Sequence, residues 1–191
     1  MTGLRPSTDA TLLGLLAVTG MRLSEALHLD RTDVEVPHGS LTIRQTQFGK
    51  TRCMPLHPST REVLHQDACF RDPRWPRPPT LRFLLSERGT PLTVWRVQRT
   101  FVRLSHQSGL RGATARSGPR LHALRHRFAV RTLLPWYRPG ADVEQRLPTL
   151  SASLGHAHVN DTLWYLSATP DLLREVPRHL ATDREEEHDA D

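Results

Sequence analysis

Apolar residues recur at helical spacing through almost the whole chain, and a single pair of strand-like runs interrupts them, so the sequence restricts the fold to a mainly α domain carrying one small antiparallel β-sheet. Leu12–Val18 is an apolar helical stretch with Ser7, Thr8 and Asp9 as candidate caps ahead of it, and Gly20 ends it. The pattern restarts over Arg22–Leu29, with Leu23, Ala26 and Leu27 on one side. Leu41–Gln45 and Thr51–Leu56 read as strands, and Gly49 and Lys50 between them suit a hairpin tip. Pro58 and Ser59 open a helix reaching about Cys69, after which residues 71–80 are too rich in proline and arginine for regular structure and read as an exposed basic connector. Thr93 caps a helix to His106 whose stripe is Val94, Val97, Phe101 and Leu104. A basic loop, Arg111–Arg120, precedes a helix over Leu121–Leu134 that Pro135 stops; Asp142–Gly155, Asp161–Leu166 and Pro170–Leu180 read as further short helices.

Size and composition bound the function classes. At 191 residues, with 37% hydrophobic and 24% charged side chains, the chain makes one ordinary domain and excludes collagen-like, coiled-coil and wholly disordered classes. No apolar run approaches the ~18 residues of a membrane span, and the N-terminus lacks the order of a secretion signal. Two cysteines, Cys53 and Cys69, make no disulfide framework, so a soluble cytoplasmic protein without a membrane partner is the expectation. The net charge of +6 hides an asymmetry: residues 181–191 hold six carboxylates and one arginine, a local −5, so the preceding 180 residues carry +11. That surplus suits a polyanionic partner, and the acidic tail reads as solvated and disordered. Of the 26 basic side chains only Lys50 is a lysine.

Four places can carry chemistry. Arg22 opens a helix, where its charge opposes the dipole, and Glu25 one turn on can pair with it. A salt-bridged surface arginine is the simpler reading; a guanidinium fixed by Glu25 to grip a phosphate with two hydrogen bonds is the functional one. His122 and Arg125 are three apart and share a helix face, as a basic surface or as two groups converging on one ligand. His156 follows a glycine that ends a helix, and Tyr165 stands among Leu163, Trp164 and Leu166, where a core aromatic with its hydroxyl at the edge is the ordinary outcome. Tyr137 reads as a structural or loop-anchoring residue, and His126 and His158 as solvent-facing. Cys53, His57, His65 and Cys69 have spacings reminiscent of zinc ligands, but Cys53 falls on a predicted strand and two prolines intervene, so no metal site is expected.

The order of these residues is more telling than any one of them. TGMRLSEAL at 19–27, QFGKTRCMPL at 47–56, LHALRHRFA at 121–129, LGH at 154–156 and TLWYLSATPDLL at 162–173 together resemble the catalytic domain of the tyrosine recombinases, the phage and transposon integrases and Xer-type resolvases. The resemblance covers Leu12 to about Leu173, and includes the nine-residue interval from His156 to Tyr165. It implies a recombinase catalytic-domain fold over residues 1–180 and a site-specific DNA recombinase that cleaves and rejoins strands through a 3′-phosphotyrosyl intermediate, with no cofactor, metal or ATP. Tyr165 would be the nucleophile, Arg22 and Arg125 the clamps on the phosphate oxygens, Lys50 the acid for the departing 5′-oxygen, His122 the group that takes or holds the tyrosine proton, and His156 a hydrogen-bond donor to the phosphate. Arg111, Arg116, Arg120, Arg127 and Arg131 would contact backbone phosphates.

The partners implied are double-stranded DNA, at the nucleoid, and further recombinase protomers, as a homo-oligomer that is tetrameric on DNA. In this family an N-terminal helical DNA-binding domain usually completes a clamp; about eleven residues precede the first catalytic-domain helix, so that domain is expected to be missing here. A truncated remnant that binds DNA or full-length recombinases without turnover is therefore the alternative. Trp164 stands before the tyrosine in place of the family's usual residue.

Overall fold

Prolines, glycines and capping side chains set the element boundaries in the computed structural model, which describes residues 4–44, 51–112, 114, 118–137, 143–156, 158 and 160–167. The chain divides into two compact units, Met1–Arg125 and His126–Asp191. Among the described residues, the mostly helical elements and the one small sheet match the expected fold class. No described helix is long and apolar enough to cross a membrane. Lys50, Arg116, the Pro170–Leu180 segment and the acidic residues 181–191 lie outside the described residues.

The first unit opens with α1 (Leu4–Thr19), which begins a full turn and more before the expected Leu12. Ser7, Thr8 and Asp9 therefore lie inside the helix and do not cap it. The physical reason is tertiary: the hydroxyls of Ser7, Thr8 and Thr11 donate to one carboxylate oxygen of Asp67, at 3.2, 3.4 and 3.4 Å, and tie α1 to α3 (Pro58–Arg71). Helix α2 (Leu23–Leu27) is shorter than the expected Arg22–Leu29, with Arg22 as its N-cap and His28 as its C-cap.

The sheet has three strands in the order β1 (Val34–Glu35), β2 (Ser40–Ile43) and β3 (Arg52–Pro55), all antiparallel. Leu41 pairs with both Val34 and Met54, and with Ile43 these residues turn one face inward, as the two-residue period of a strand requires. Burying Leu41 and Ile43 stabilises the unit by roughly 1.5–3 kcal/mol each. Helix α3 starts on Pro58 behind His57, whose ring accepts from the Ser59 amide, and it extends to Arg71. Arg71 is buried, its Nη1 donating to the Phe83 carbonyl and its guanidinium stacked 4.5 Å from the Phe83 ring, so the connector expected from residue 71 begins one residue later. Helix α4 (Val94–Gln107) has the expected Thr93 cap, but only Val97 of its apolar stripe is fully buried; Val94 and Leu104 are exposed. The core of this unit gathers α1, α2, the sheet, Leu64 of α3 and Val97 of α4.

Helix α5 (His122–Leu133) continues as a short 3₁₀ turn through Tyr137. In the second unit α6 (Val143–Leu154) and α7 (Asn160–Ser167) build a smaller core in which Leu147, Leu150 and Leu154, spaced at helical intervals, meet Ala129, Leu133 and Tyr165.

Candidate active site

In the first unit the candidate residues assemble around the turn after α1. Gly20 has φ 64°, a left-handed conformation that any side chain would strain, and it turns the chain sharply from α1 toward α2. The turn is fixed on both sides: Thr19 Oγ1 donates to the Leu15 carbonyl at 2.6 Å, and the Arg22 amide donates to Glu25 Oε2 at 2.8 Å. The guanidinium of Arg22 reaches Glu25 Oε1 at 3.3 Å, the pairing expected from the i,i+3 spacing. Glu25 itself is buried and gripped from the other side by Arg52 of β3, whose Nη1 and Nη2 donate to its two oxygens at 3.1 and 2.8 Å. Burial pushes the Glu25 carboxyl toward protonation, but the Arg52 hydrogen bonds, the Arg22 amide and the two guanidinium charges outweigh it and hold the pKa below the ordinary value.

Arg125 arrives at the same turn from α5. It is 3% exposed, and its Nη1 donates to the Gly20 carbonyl at 2.7 Å. Arg22 and Arg52 thus bring two positive charges against the carboxylate of Glu25, and Arg125 adds a third at the Gly20 carbonyl. Arg22 keeps about a quarter of its side chain exposed, at 27%. A turn so charged attracts an anion. His122, at the start of α5, is exposed.

In the second unit the candidates assemble around another left-handed glycine. Gly155, φ 70°, ends α6, and the His156 amide donates back to the Ser151 carbonyl at 3.0 Å. His156 Nδ1 lies 2.8 Å from Thr162 Oγ1 on α7. The imidazole of His156 stacks on the Tyr165 ring, with centroids 6.0 Å apart and an interplanar angle of 15°. Tyr165 is 3% exposed. Its ring also meets His126, 5.3 Å away and tilted by 49°, and Trp164, 5.6 Å away and edge-on. His126 is therefore half-buried against the tyrosine and its neighbour Trp164, contrary to the solvent-facing role expected of it: it follows Arg125 on a helix whose inward face reaches that cluster. His158 is exposed, as expected.

A scan against protein families matches residues 3–171 to the phage integrase family. The chain belongs to the phage integrase family. Among curated relatives, the putative integrase/recombinase y4rB of Sinorhizobium fredii is 47% identical over 178 residues, covering 93% of this chain and 57% of the relative. Tyrosine recombinase XerC of Nitrobacter winogradskyi is 30% identical over 171 residues, 89% of this chain and 49% of that protein. The chain spans about half the length of these relatives. Among solved structures, XerA recombinase superposes with TM-score 0.70 at 22% identity over 92% of this chain and 57% of that one. XerH recombinase in a post-cleavage complex with its palindromic difH substrate superposes with TM-score 0.71 at 23% identity, covering 93% and 47%. The fold is that of the tyrosine recombinase catalytic domain.

Of the residues expected to contact phosphates, Arg120, Arg127 and Arg131 of this integrase-family chain are exposed. Arg111 is half-buried, with Nη2 donating to the Pro119 carbonyl at 3.1 Å. Helix α4 adds a basic surface that the sequence reading did not single out. Arg96, Arg99, Arg103 and His106 line a cavity of about 710 Å³, with Arg99 stacked 5.3 Å over Trp95. Their spacing of three to four residues was the available signal. Arg52 and Thr162 were likewise missed, for they hold Glu25 and His156 without carrying a motif themselves.

Proposed function

We propose that the chain is the catalytic domain of a site-specific DNA recombinase, transferring strands through a covalent bond to Tyr165. The observation that carries this reading is the arginine pair at one turn: Arg22, held by Glu25, and Arg125, held on the Gly20 carbonyl. A phosphodiester is anionic, and its pentacoordinate transition state gathers further negative charge on the equatorial oxygens. Guanidiniums already oriented for those oxygens stabilise that state without reorganising, and losing one such donor typically costs ~10²–10³ in rate.

In the proposed reaction the Tyr165 oxygen attacks phosphorus while the bond to the 5′-oxygen breaks. His122 takes the phenol proton, Lys50 gives one to the leaving 5′-oxygen, and His156 donates a hydrogen bond to the phosphate. The 3′-phosphotyrosyl bond conserves the energy of the broken linkage, so attack by a 5′-hydroxyl of a second duplex rejoins the strands and releases Tyr165. The substrate is double-stranded DNA, held by phosphate contacts from Arg111, Arg116, Arg120, Arg127 and Arg131, and the working assembly is an oligomer of recombinase protomers on that DNA.

The test uses a pool of nicked duplexes with randomised cores, in which the released fragment diffuses away after cleavage and traps the intermediate. A covalent protein–DNA adduct on a denaturing gel, absent in Tyr165→Phe, is the expected result. DNA binding without any adduct from the wild-type chain overturns the catalytic reading in favour of a binding remnant.

A further inference from the structure

Like the buried Thr8 and Thr11, which meet Asp67, Thr162 is a buried threonine whose hydroxyl bonds another residue's side chain. Buried hydroxyls on helices commonly bond back to the carbonyl four residues earlier. The buried Thr19 does so to Leu15 at 2.6 Å, and the half-buried Thr132 to Phe128 at 2.9 Å. Thr162 has no measurable exposure, and its hydroxyl meets the ring of His156 at 2.8 Å. It also lies one helical turn before Tyr165 on α7, and the His156 ring stacks nearly parallel on that tyrosine. Thr162, His156 and Tyr165 therefore close a triangle in which two corners share one helix and the third is bound to both.

We propose that Thr162 is a positioning residue that fixes the orientation and tautomer of His156 and couples it to the helix carrying the nucleophile. In this proposal the Thr162 hydroxyl is the donor and Nδ1 the acceptor of the 2.8 Å contact, so in the neutral ring the hydrogen sits on Nε2, at the opposite edge, where it is a donor and not a base. A displacement of α7 then carries His156 and Tyr165 together and preserves their spacing. The histidine follows a glycine turn, which by itself leaves the ring direction weakly fixed, so the hydroxyl supplies the restraint that the backbone does not. This inference rests on the strand-transfer reading in one respect only, that His156 donates to the scissile phosphate; the bond between Thr162 and His156 stands apart from it.

The variants are Thr162→Val, which keeps shape and burial but removes the hydroxyl, and Thr162→Ser, which restores it. With the nicked-duplex pool as probe, Thr162→Val lowers the rate of adduct formation by about tenfold to a hundredfold, the scale for a misplaced catalytic group. Thr162→Ser recovers most of the loss. In a His156→Ala background Thr162→Val changes the rate by less than about twofold, because the threonine acts through the histidine. Equal losses in both backgrounds mean a packing role and overturn the proposal. A second measurement needs no activity: in long-range proton–nitrogen spectra of the full chain, the His156 Nδ1 resonance shifts from a bonded to an unbonded acceptor in Thr162→Val. Unchanged ring resonances overturn the hydrogen bond itself. If the wild-type chain forms no adduct while the ring resonances shift as stated, the strand-transfer reading fails and the Thr162–His156 contact survives.

Discussion

The turn at Gly20 and the turn at Gly155 use one backbone device to present different chemistry. Each ends a helix in a left-handed glycine, φ 64° and 70°, and each places a proposed site residue, Arg22 or His156, within two positions. Beyond that they part. Arg22 is held by an ion-pair network whose other anchor, Arg52, is 27 residues from Glu25 and on a strand. His156 is held by a side-chain hydrogen bond to Thr162, six residues away, and by ring stacking. The difference follows from the tasks proposed for the two groups. A group that must present fixed charge to an anion gains from a rigid charged brace, whereas one that must accompany a moving nucleophile gains from a tether to the nucleophile's own helix.

The largest expected effect breaks the charged brace. Glu25→Ala removes the carboxylate from between Arg22 and Arg52 and leaves Arg52, 12% exposed, as an uncompensated buried charge. Such losses cost about 3–5 kcal/mol, to be read from urea unfolding. The pH dependence has a definite sign. Because the folded carboxyl sits below its ordinary pKa, its contribution is complete above the unfolded value and is lost as pH falls through the folded one. Wild type and Glu25→Ala should therefore converge in stability under acid. If Glu25→Ala costs under 1 kcal/mol at pH 7, the contrast between the two turns is wrong.

Asp67 sharpens the same contrast, since it is a buried carboxylate held by neutral donors. Burial raises its pKa, and the hydroxyls of Ser7, Thr11 and Thr8 with the Arg71 charge only partly oppose that. The buried Oδ2 has no hydrogen-bond partner among the described residues. The sign is opposite to that of Glu25: a raised folded pKa favours the protonated form, so the native state loses stability as pH rises from the unfolded value through the folded one. Asp67→Asn, neutral at every pH, is expected to raise the melting temperature at pH 7 by about 2–4 °C, on the order of 1 kcal/mol. The gain should shrink toward pH 4. A variant less stable than wild type at pH 7 would show that the hydroxyls satisfy the ionised carboxylate after all.

These contrasts also mark what was legible in the residues. The Thr93 cap, the paired strands and the Arg22–Glu25 spacing involve neighbours within a few positions, so local pattern carried them. The two-residue strand β1 is too short for a two-residue period to register. The early start of α1 depends on Asp67, some sixty residues on, and Arg52 acts across the fold, so neither leaves a local trace. His126 was misjudged for a related reason: its surroundings come from α7, nearly forty residues later. The proposed catalytic residues were found through a resemblance in their order, while the side chains that brace them were invisible because braces need only reach, charge and burial.

The smallest expected effect separates bracing from surface charge on a single helix. Arg125 is buried and spends a donor on a backbone carbonyl, whereas Arg131, six residues along α5, is exposed. Arg131→Ala should leave the fold unchanged and weaken DNA binding by a similar factor whatever the duplex sequence, because a phosphate contact carries no base information. Its signature is salt dependence: each phosphate neutralised releases condensed counterions, so losing one contact flattens the slope of log affinity against log salt by about 0.9. Fluorescence anisotropy of a labelled duplex at several salt concentrations measures this directly. An unchanged slope removes Arg131 from the DNA-facing set, while a change in sequence preference would assign it to base edges.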